Sequence, residues 1–190
     1  MKKILVSCSM GVIVTMTIIC GNSAATAAEY GGWVSLGNVG QTMRIMVLTE
    51  DLWDHLPTDP DVYVSIGETD EVDGVNGCVF VDEYGEYAMV ITPDALLLSD
   101  ASLQALIAHE LAHIVLGHIA GYGEDATVDW WRELEADAYS MQLLLAAGFD
   151  PVQVIVLQET LRRTTGVKYP EMEPDMSKRL AFQHVVLANL

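Results

Sequence analysis

Fifteen residues, Leu103 to Gly117, constrain this chain more than any others. They read LQALIAHELAHIVLG, and their only formally charged side chain is Glu110, set between His109 and His113. An apolar run of this length, with leucine, isoleucine or valine on every face, predicts a buried helix. Hiding a lone carboxylate and two imidazoles there is unfavourable unless something pairs with them. A metal ion is the simplest partner. His-Glu-x-x-His on a helix sets the imidazoles at i and i+4, roughly 6 Å apart on one face, which suits two legs of a zinc tetrahedron. Glu110, one residue round the helix, then lies beside the open coordination position, where a general base belongs.

Two histidines do not hold zinc; a catalytic site needs three protein ligands. The remaining histidines are His55, His118 and His184. His118 is turned roughly 140° from His113 round a continuous helix, which predicts a polar residue at a helix end rather than a ligand. A richer source is the string Arg-Glu-Leu-Glu-Ala-Asp, where Glu133 and Asp137 share a helical face and Glu135 points elsewhere. Glu133 as ligand, with Asp137 behind it accepting from a liganding imidazole, would account for both acids. Solvated acids, or acids favouring a helix N-terminus, would account for them equally well in isolation. A site closed by a fourth ligand such as His184 would instead be purely structural.

The chain has 190 residues, 51% of them hydrophobic, enough for one core and short for two domains. Lys2 and Lys3 precede an uncharged run from Ile4 to Cys20, and Ser23 to Ala28 is a small-residue stretch with an Ala25-x-Ala27 cleavage pattern. Residues 1–27 therefore read as a secretory signal peptide, with an uncleaved anchor as the minority alternative, and 28–190 as one domain. Export to a periplasmic or secreted location follows. Losing Lys2 and Lys3 moves the formal net charge from -18 to -20, a surface that repels nucleic acid and anionic lipid, so neither is an expected partner. Oligomeric state is not specified by these features. Cys8 and Cys20 leave with the signal, and Cys78 remains as a lone thiol expected to be buried and inert.

Along the chain, Glu29 to Gly40 reads as a Gly-rich lead-in and Thr42 to Thr49 as a β-branched strand. Glu50 to Asp61 reads as a helical turn and loop, and Val62 to Ile66 as a short strand. Cys78 to Val81 and Tyr87 to Thr92 form a predicted hairpin across Asp82 to Gly85. Thr92-Pro93-Asp94 caps a short helix, and Ser99-Asp100 starts the metal helix, expected to weaken at Gly117 and end near Gly121 or Gly123. Asp129 caps a helix from Trp130 to Ala147 closed by Gly148, with Trp130 and Trp131 as packing anchors. Asp150-Pro151 opens another that ends at Gly166, and a last helix starts at Asp175 or Ser177. Strands first and helices after make the fold α+β: a small N-terminal antiparallel sheet, then a helical core holding the metal helix and a second ligand-bearing helix.

HELAHIVLGH followed by ELEADAYSMQLLLAAGFDP resembles the HtpX-like zinc metallopeptidases, the gluzincin group that also holds the CAAX prenyl proteases and the periplasmic BepA-type proteases. The family's Glu-x-x-Ala-Asp motif matches Glu133, Ala136 and Asp137, which implies Glu133 as the third ligand. The likeness covers roughly Tyr87 to Pro151. It implies a zinc endopeptidase in which His109, His113 and Glu133 hold one Zn²⁺ and Glu110 is the catalytic base. Tyr87, Ala88, Met89, Val90, Ile91 and Thr92 resemble the family's edge strand, which pairs with an extended, unfolded protein substrate. Members commonly carry His-Pro with an arginine five residues beyond the proline; here Pro174 and Arg179 are kept, but Glu173 replaces the histidine. The oxyanion donor would then be Arg179 or Tyr139, or Arg179 would pair with Asp137 and brace the site. A peptide-binding module that holds metal without cutting is the alternative of a different class.

Overall fold

The computed structural model describes residues 29–30, 33–35, 39–58, 60, 62–68, 74–81, 84–119, 130–168 and 173–189. Residues 1–27, which the sequence reads as a signal peptide, and Gly121, Gly123 and Asp129 lie outside them. Among the described residues, five strands and five α-helices follow in the order β1 (Glu29–Tyr30), β2 (Trp33–Ser35), α1 (Val39–Trp53), β3 (Val62–Glu68), β4 (Gly77–Val81), β5 (Tyr87–Ile91), α2 (Asp100–Val115), α3 (Trp130–Ala146), α4 (Pro151–Lys168) and α5 (Glu173–Leu187). The fold is α+β, a small sheet joined to a helical core.

The sheet is mixed rather than antiparallel. β4 and β5 form the expected antiparallel hairpin, with Cys78 opposite Val90, but β5 runs parallel to β3, Val64 opposite Met89. β2 and β1 extend the far side of β3, giving the order β1-β2-β3-β5-β4. Part of the predicted lead-in is therefore strand. β5 is flanked on both sides, so Tyr87 to Ile91 is not an edge strand and Thr92 lies just past its end. The edge next to the hairpin belongs to β4, because the hairpin joins the sheet through its second strand.

The segment read as a strand at Thr42 to Thr49 is the middle of α1. Its buried residues are Ile45, Leu48, Thr49, Leu52 and Trp53, the i, i+3, i+4, i+7, i+8 spacing of one helix face. Val39, Met43 and Val47 are exposed on the other side. With apolar residues on both faces, an eight-residue window shows β-branched composition without the helical period. Arg44 fastens α1 to the start of α2: its guanidinium donates to the Leu96 and Leu98 carbonyls and to Asp100, each at 2.7 Å. These carbonyls leave the single turn of 3₁₀-helix at Asp94–Leu97.

α2 is buried along nearly its whole length, and it packs chiefly on α3, with α1 and α4 on other sides. Ser99 caps it by accepting from the Ser102 amide at 3.2 Å. It ends at Gly117, earlier than expected. Gly117 has φ 68°, and the His118 amide reaches back to the His113 carbonyl at 2.9 Å while Gly117 bonds Ile114. This is a Schellman ending, which needs the left-handed residue glycine supplies. α3 closes the same way at Gly148, as predicted. Asp150 caps α4 through bonds from the Val152 and Gln153 amides, and Gln153 accepts from the Asp150 amide in return. Trp131 is 69% exposed, so it does not anchor packing; it falls on the outer face of the first turn of α3.

Candidate metal centre

The tight packing of α2 on α3 brings three side chains to one point. His109 and His113, one turn apart on α2, have Nε2 atoms 3.1 Å from each other. Glu133 on α3 completes the group, with Oε2 3.4 Å from His109 Nε2 and Oε1 3.4 Å from His113 Nε2. One ligand atom from each residue lies within 4.8 Å of the others, so the group could hold a metal ion. Ligands at about 2.0–2.1 Å on the corners of a tetrahedron stand about 3.3 Å apart; the two Nε2 atoms are 3.1 Å apart, and each lies 3.4 Å from a different oxygen of Glu133. Two imidazoles and one carboxylate also form the donor set of an open site with a free fourth position.

Asp137 stands behind His109, its Oδ1 3.1 Å from Nδ1. That carboxylate is the acceptor Nδ1 faces, and Nδ1 has no other hydrogen-bond partner. Asp137 is fully buried and gripped by two arginines. Arg179 Nε donates to Oδ2 at 2.8 Å and Nη2 to Oδ1 at 2.7 Å, while Arg162 Nη2 donates to Oδ1 at 2.7 Å. Arg179 also reaches Glu133 Oε2 through Nη1 at 2.8 Å. The polar layer continues outward: Ser140 donates to the Asp137 carbonyl, Gln158 to Ser140 and Gln183 to Gln158.

These contacts set the protonation states. Burial alone would raise Asp137, but Arg162 and Arg179 hold it far below the usual carboxylate range. Burial likewise opposes ionisation of Glu133, and His109, His113 and Arg179 overcome it. Burial pushes His109 down, yet Asp137 and Glu133 more than compensate and lift its imidazole to about 9. Glu110 is 5% exposed; burial raises its pKa against the pull of His109 and His113. A carboxylate raised in this way is a stronger base.

Glu110 also touches the sheet. A methyl group at Gly77 would meet Glu110 Cγ at 3.1 Å, Ile91 Cδ1 at 3.2 Å and Glu110 Oε1 at 3.3 Å. The start of the edge strand β4 therefore lies against the candidate base only because Gly77 has no side chain. Thr92 holds that approach in place. It does not cap the helical turn; its hydroxyl accepts from the Asn76 amide at 3.0 Å and faces the Gly74 and Asn76 carbonyls. The Cys78 thiol next along β4 is half-buried, and burial, with Glu110 nearby, pushes its pKa up, away from the thiolate.

His109, Glu110, His113, Glu133 and Asp137 thus converge. Arg179 joins them as a brace on two carboxylates rather than as a free donor. Tyr139 does not join: two residues past Asp137, it lies about 200° round the helix, half-buried, with its phenol raised by burial. His184 sits on α5, 3.5 Å from Glu159, and closes no fourth position. The side chains of Glu173 and Pro174 lie outside those described.

Sequence reasoning missed Arg162, which was nonetheless legible. Val154, Leu157, Gln158, Leu161 and Arg162 follow the spacing of one α4 face, and all five are buried, so an arginine on that face called for a buried acid. It also missed His118, whose Nδ1 is 3.3 Å from His113 Nδ1 and whose Nε2 is 3.2 Å from Glu135. No protein-family model matches the chain, and no curated protein matches it.

Proposed function

We propose that the chain is a zinc-dependent endopeptidase acting on exported proteins in an unfolded or extended state. The observation that carries the reading is the convergence of His109, His113 and Glu133, one ligand atom of each within 4.8 Å of the others, with a buried acid, Glu110, one residue from His109 on α2. A site that only held metal for stability would have no use for that acid. Zinc held by His109, His113 and Glu133 would supply a Lewis acid and lower the pKa of water to about 7. Glu110, beside the open position, would act as the general base and return the proton to the leaving amine. Asp137 orients His109, and Arg179 keeps Glu133 and Asp137 ionised and in place. The outer edge of β4, which starts beside Glu110 and bears no further strand among the described residues, is where an extended chain would add as a further strand. Pairing of that kind reads backbone rather than side chains and favours loose specificity.

A second reading, a metal-holding peptide-binding module, draws on Arg179. Its three described contacts all go to Asp137 and Glu133, which leaves it poorly placed to donate to an oxyanion. One experiment separates the two: measure zinc in the purified chain and assay an unfolded casein-type substrate with wild type and Glu110→Gln. Zinc retained in both, with cleavage lost only in the variant, supports the peptidase. Stoichiometric zinc without cleavage by wild type supports the binding module, and absence of zinc uptake sinks both.

A further inference from the structure

Both imidazoles of the cluster turn Nε2 toward the common point, and each then has Nδ1 pointing away. A neutral imidazole that binds metal through Nε2 carries its proton on Nδ1 and needs an acceptor there. For His109 the acceptor is the Asp137 carboxylate. For His113 it is another imidazole, His118, with Nδ1 facing Nδ1 at 3.3 Å. Two Nδ1 atoms make a hydrogen bond only if one is bare, so His118 must keep its own proton on Nε2. That nitrogen lies 3.2 Å from Glu135 Oε2, an acceptor only.

We propose that His118 and Glu135 are positioning residues that fix the tautomer and ring orientation of His113 through a directed chain, His113 Nδ1–H to His118 Nδ1 and His118 Nε2–H to Glu135. The proposal rests on His113 being a metal ligand. Three independent features of the chain build the arrangement. Gly117, at φ 68°, ends α2 one residue before His118 and folds it back over His113; on a continuing helix His118 would face the other way. Arg132, at the start of α3, donates to the His118 carbonyl at 3.2 Å and holds the turn against the second helix. Glu135 sits off the ligand face of α3, two residues past Glu133, which is where an acid must stand to meet His118 and leave Glu133 to the cluster. The two ligand histidines are thus oriented by different means, one by a carboxylate directly and one through a second imidazole.

The test is zinc affinity, measured by competition with a chromophoric chelator, in wild type, His118→Leu, His118→Asn and Glu135→Ala. The loss expected on removing such a partner is about 10- to 100-fold. His118→Leu should weaken zinc by that amount, and His118→Asn, whose amide oxygen can accept in place of Nδ1, should recover most of it. Glu135→Ala, a truncation of an exposed side chain that leaves the fold intact, should weaken zinc by a smaller factor and keeps the test open if His118→Leu does not fold. A wild type that binds zinc and a His118→Leu or Glu135→Ala that binds it within twofold overturns the chain alone. Equal losses in His118→Leu and His118→Asn also overturn it, since the role would then be one of shape. A wild type that takes up no zinc overturns it together with the metal-site reading.

Discussion

Replacing Asp137 with asparagine tests the charge cluster on which the site is built. The side chain is fully buried and accepts from Arg162 and Arg179 at 2.7–2.8 Å. Removing one partner of a buried ion pair costs about 3–5 kcal/mol, because the other charge stays behind uncompensated. Two arginines lose a partner here, yet the figure does not double. Arg179 keeps Glu133 at 2.8 Å, so Arg162 is the cation left stranded. Against a total stability of about 5–15 kcal/mol, the variant should fold in buffer and unfold at much lower denaturant. Urea unfolding followed by far-UV circular dichroism in EDTA at pH 7 reads the loss without any contribution from metal. The companion Arg162→Met removes the stranded charge, so the double variant should be at least about 1 kcal/mol more stable than the two single losses predict. A loss below about 1 kcal/mol for Asp137→Asn, or strict additivity in the double variant, would refute the argument, since breaking so buried a pair could not then be so cheap.

Two further outcomes follow from the same geometry. Gly77→Ala forces Glu110 to move by a few tenths of an ångström, because the new methyl meets its Cγ at 3.1 Å. Since a 1 Å misplacement can cost about 100-fold in rate, cleavage should fall by roughly 3- to 10-fold with zinc content unchanged; unaltered turnover would show that Glu110 is not held there. The metal-free chain should also lose stability on the alkaline side. His109, lifted to about 9 when folded, contributes stability that is complete below its unfolded value of about 6.5 and is lost as pH rises through 9. The depressed Asp137 and Glu133 contribute stability that is present above about pH 4 and lost below it. Melting temperature in EDTA should therefore decline between pH 6.5 and 9 and collapse in acid, whereas zinc, which takes His109 without its proton, should remove the alkaline decline. A flat profile in EDTA would count against the assignment.

Legibility from sequence tracked how local the determining physics is. The candidate ligand pair and the acid between them are written within five consecutive positions, and helical spacing is what puts the two imidazoles on one face. α3 was legible because Glu133 and Asp137 repeat that spacing and Gly148 closes the helix. The sheet was legible only in part. A hairpin is local, but which of its strands joins β3 is decided by packing over distant residues, so the edge strand was assigned to β5 instead of β4. α1 was misread because its outer face is also apolar. His118 reads from sequence as a polar residue at a helix end, and so it stands, outside the metal-capable group; its turn back over His113 depends on the left-handed Gly117, whose conformation helical spacing alone does not give. Arg162 and Arg179 lie 25 and 42 residues from Asp137. Arg179 was available through the family resemblance, and Arg162 through a charge sitting on an apolar helix face.

Withdrawing the metal should leave the chain folded. Small zinc domains unfold without their ion because the metal supplies the folding energy that their cores cannot. Here Leu103, Ile107 and Leu111 of α2 and Met141 and Leu144 of α3 are fully buried in one cluster, so the two helices that bear the candidate ligands are joined by apolar contact as well as by the site. The acids of the cluster are also matched by the chain's own cations, Asp137 by two arginines and Glu133 by Arg179, which limits the repulsion that a cation must otherwise relieve. In EDTA the chain should keep its helical circular dichroism and unfold in one cooperative step. Zinc at 100 times its dissociation constant should add about 2.7 kcal/mol, a shift of roughly 5–10 °C for a domain of this size. Loss of helical signal on chelation alone would mean that the ion assembles α2 and α3, and that the apolar seam between them has been given too much weight.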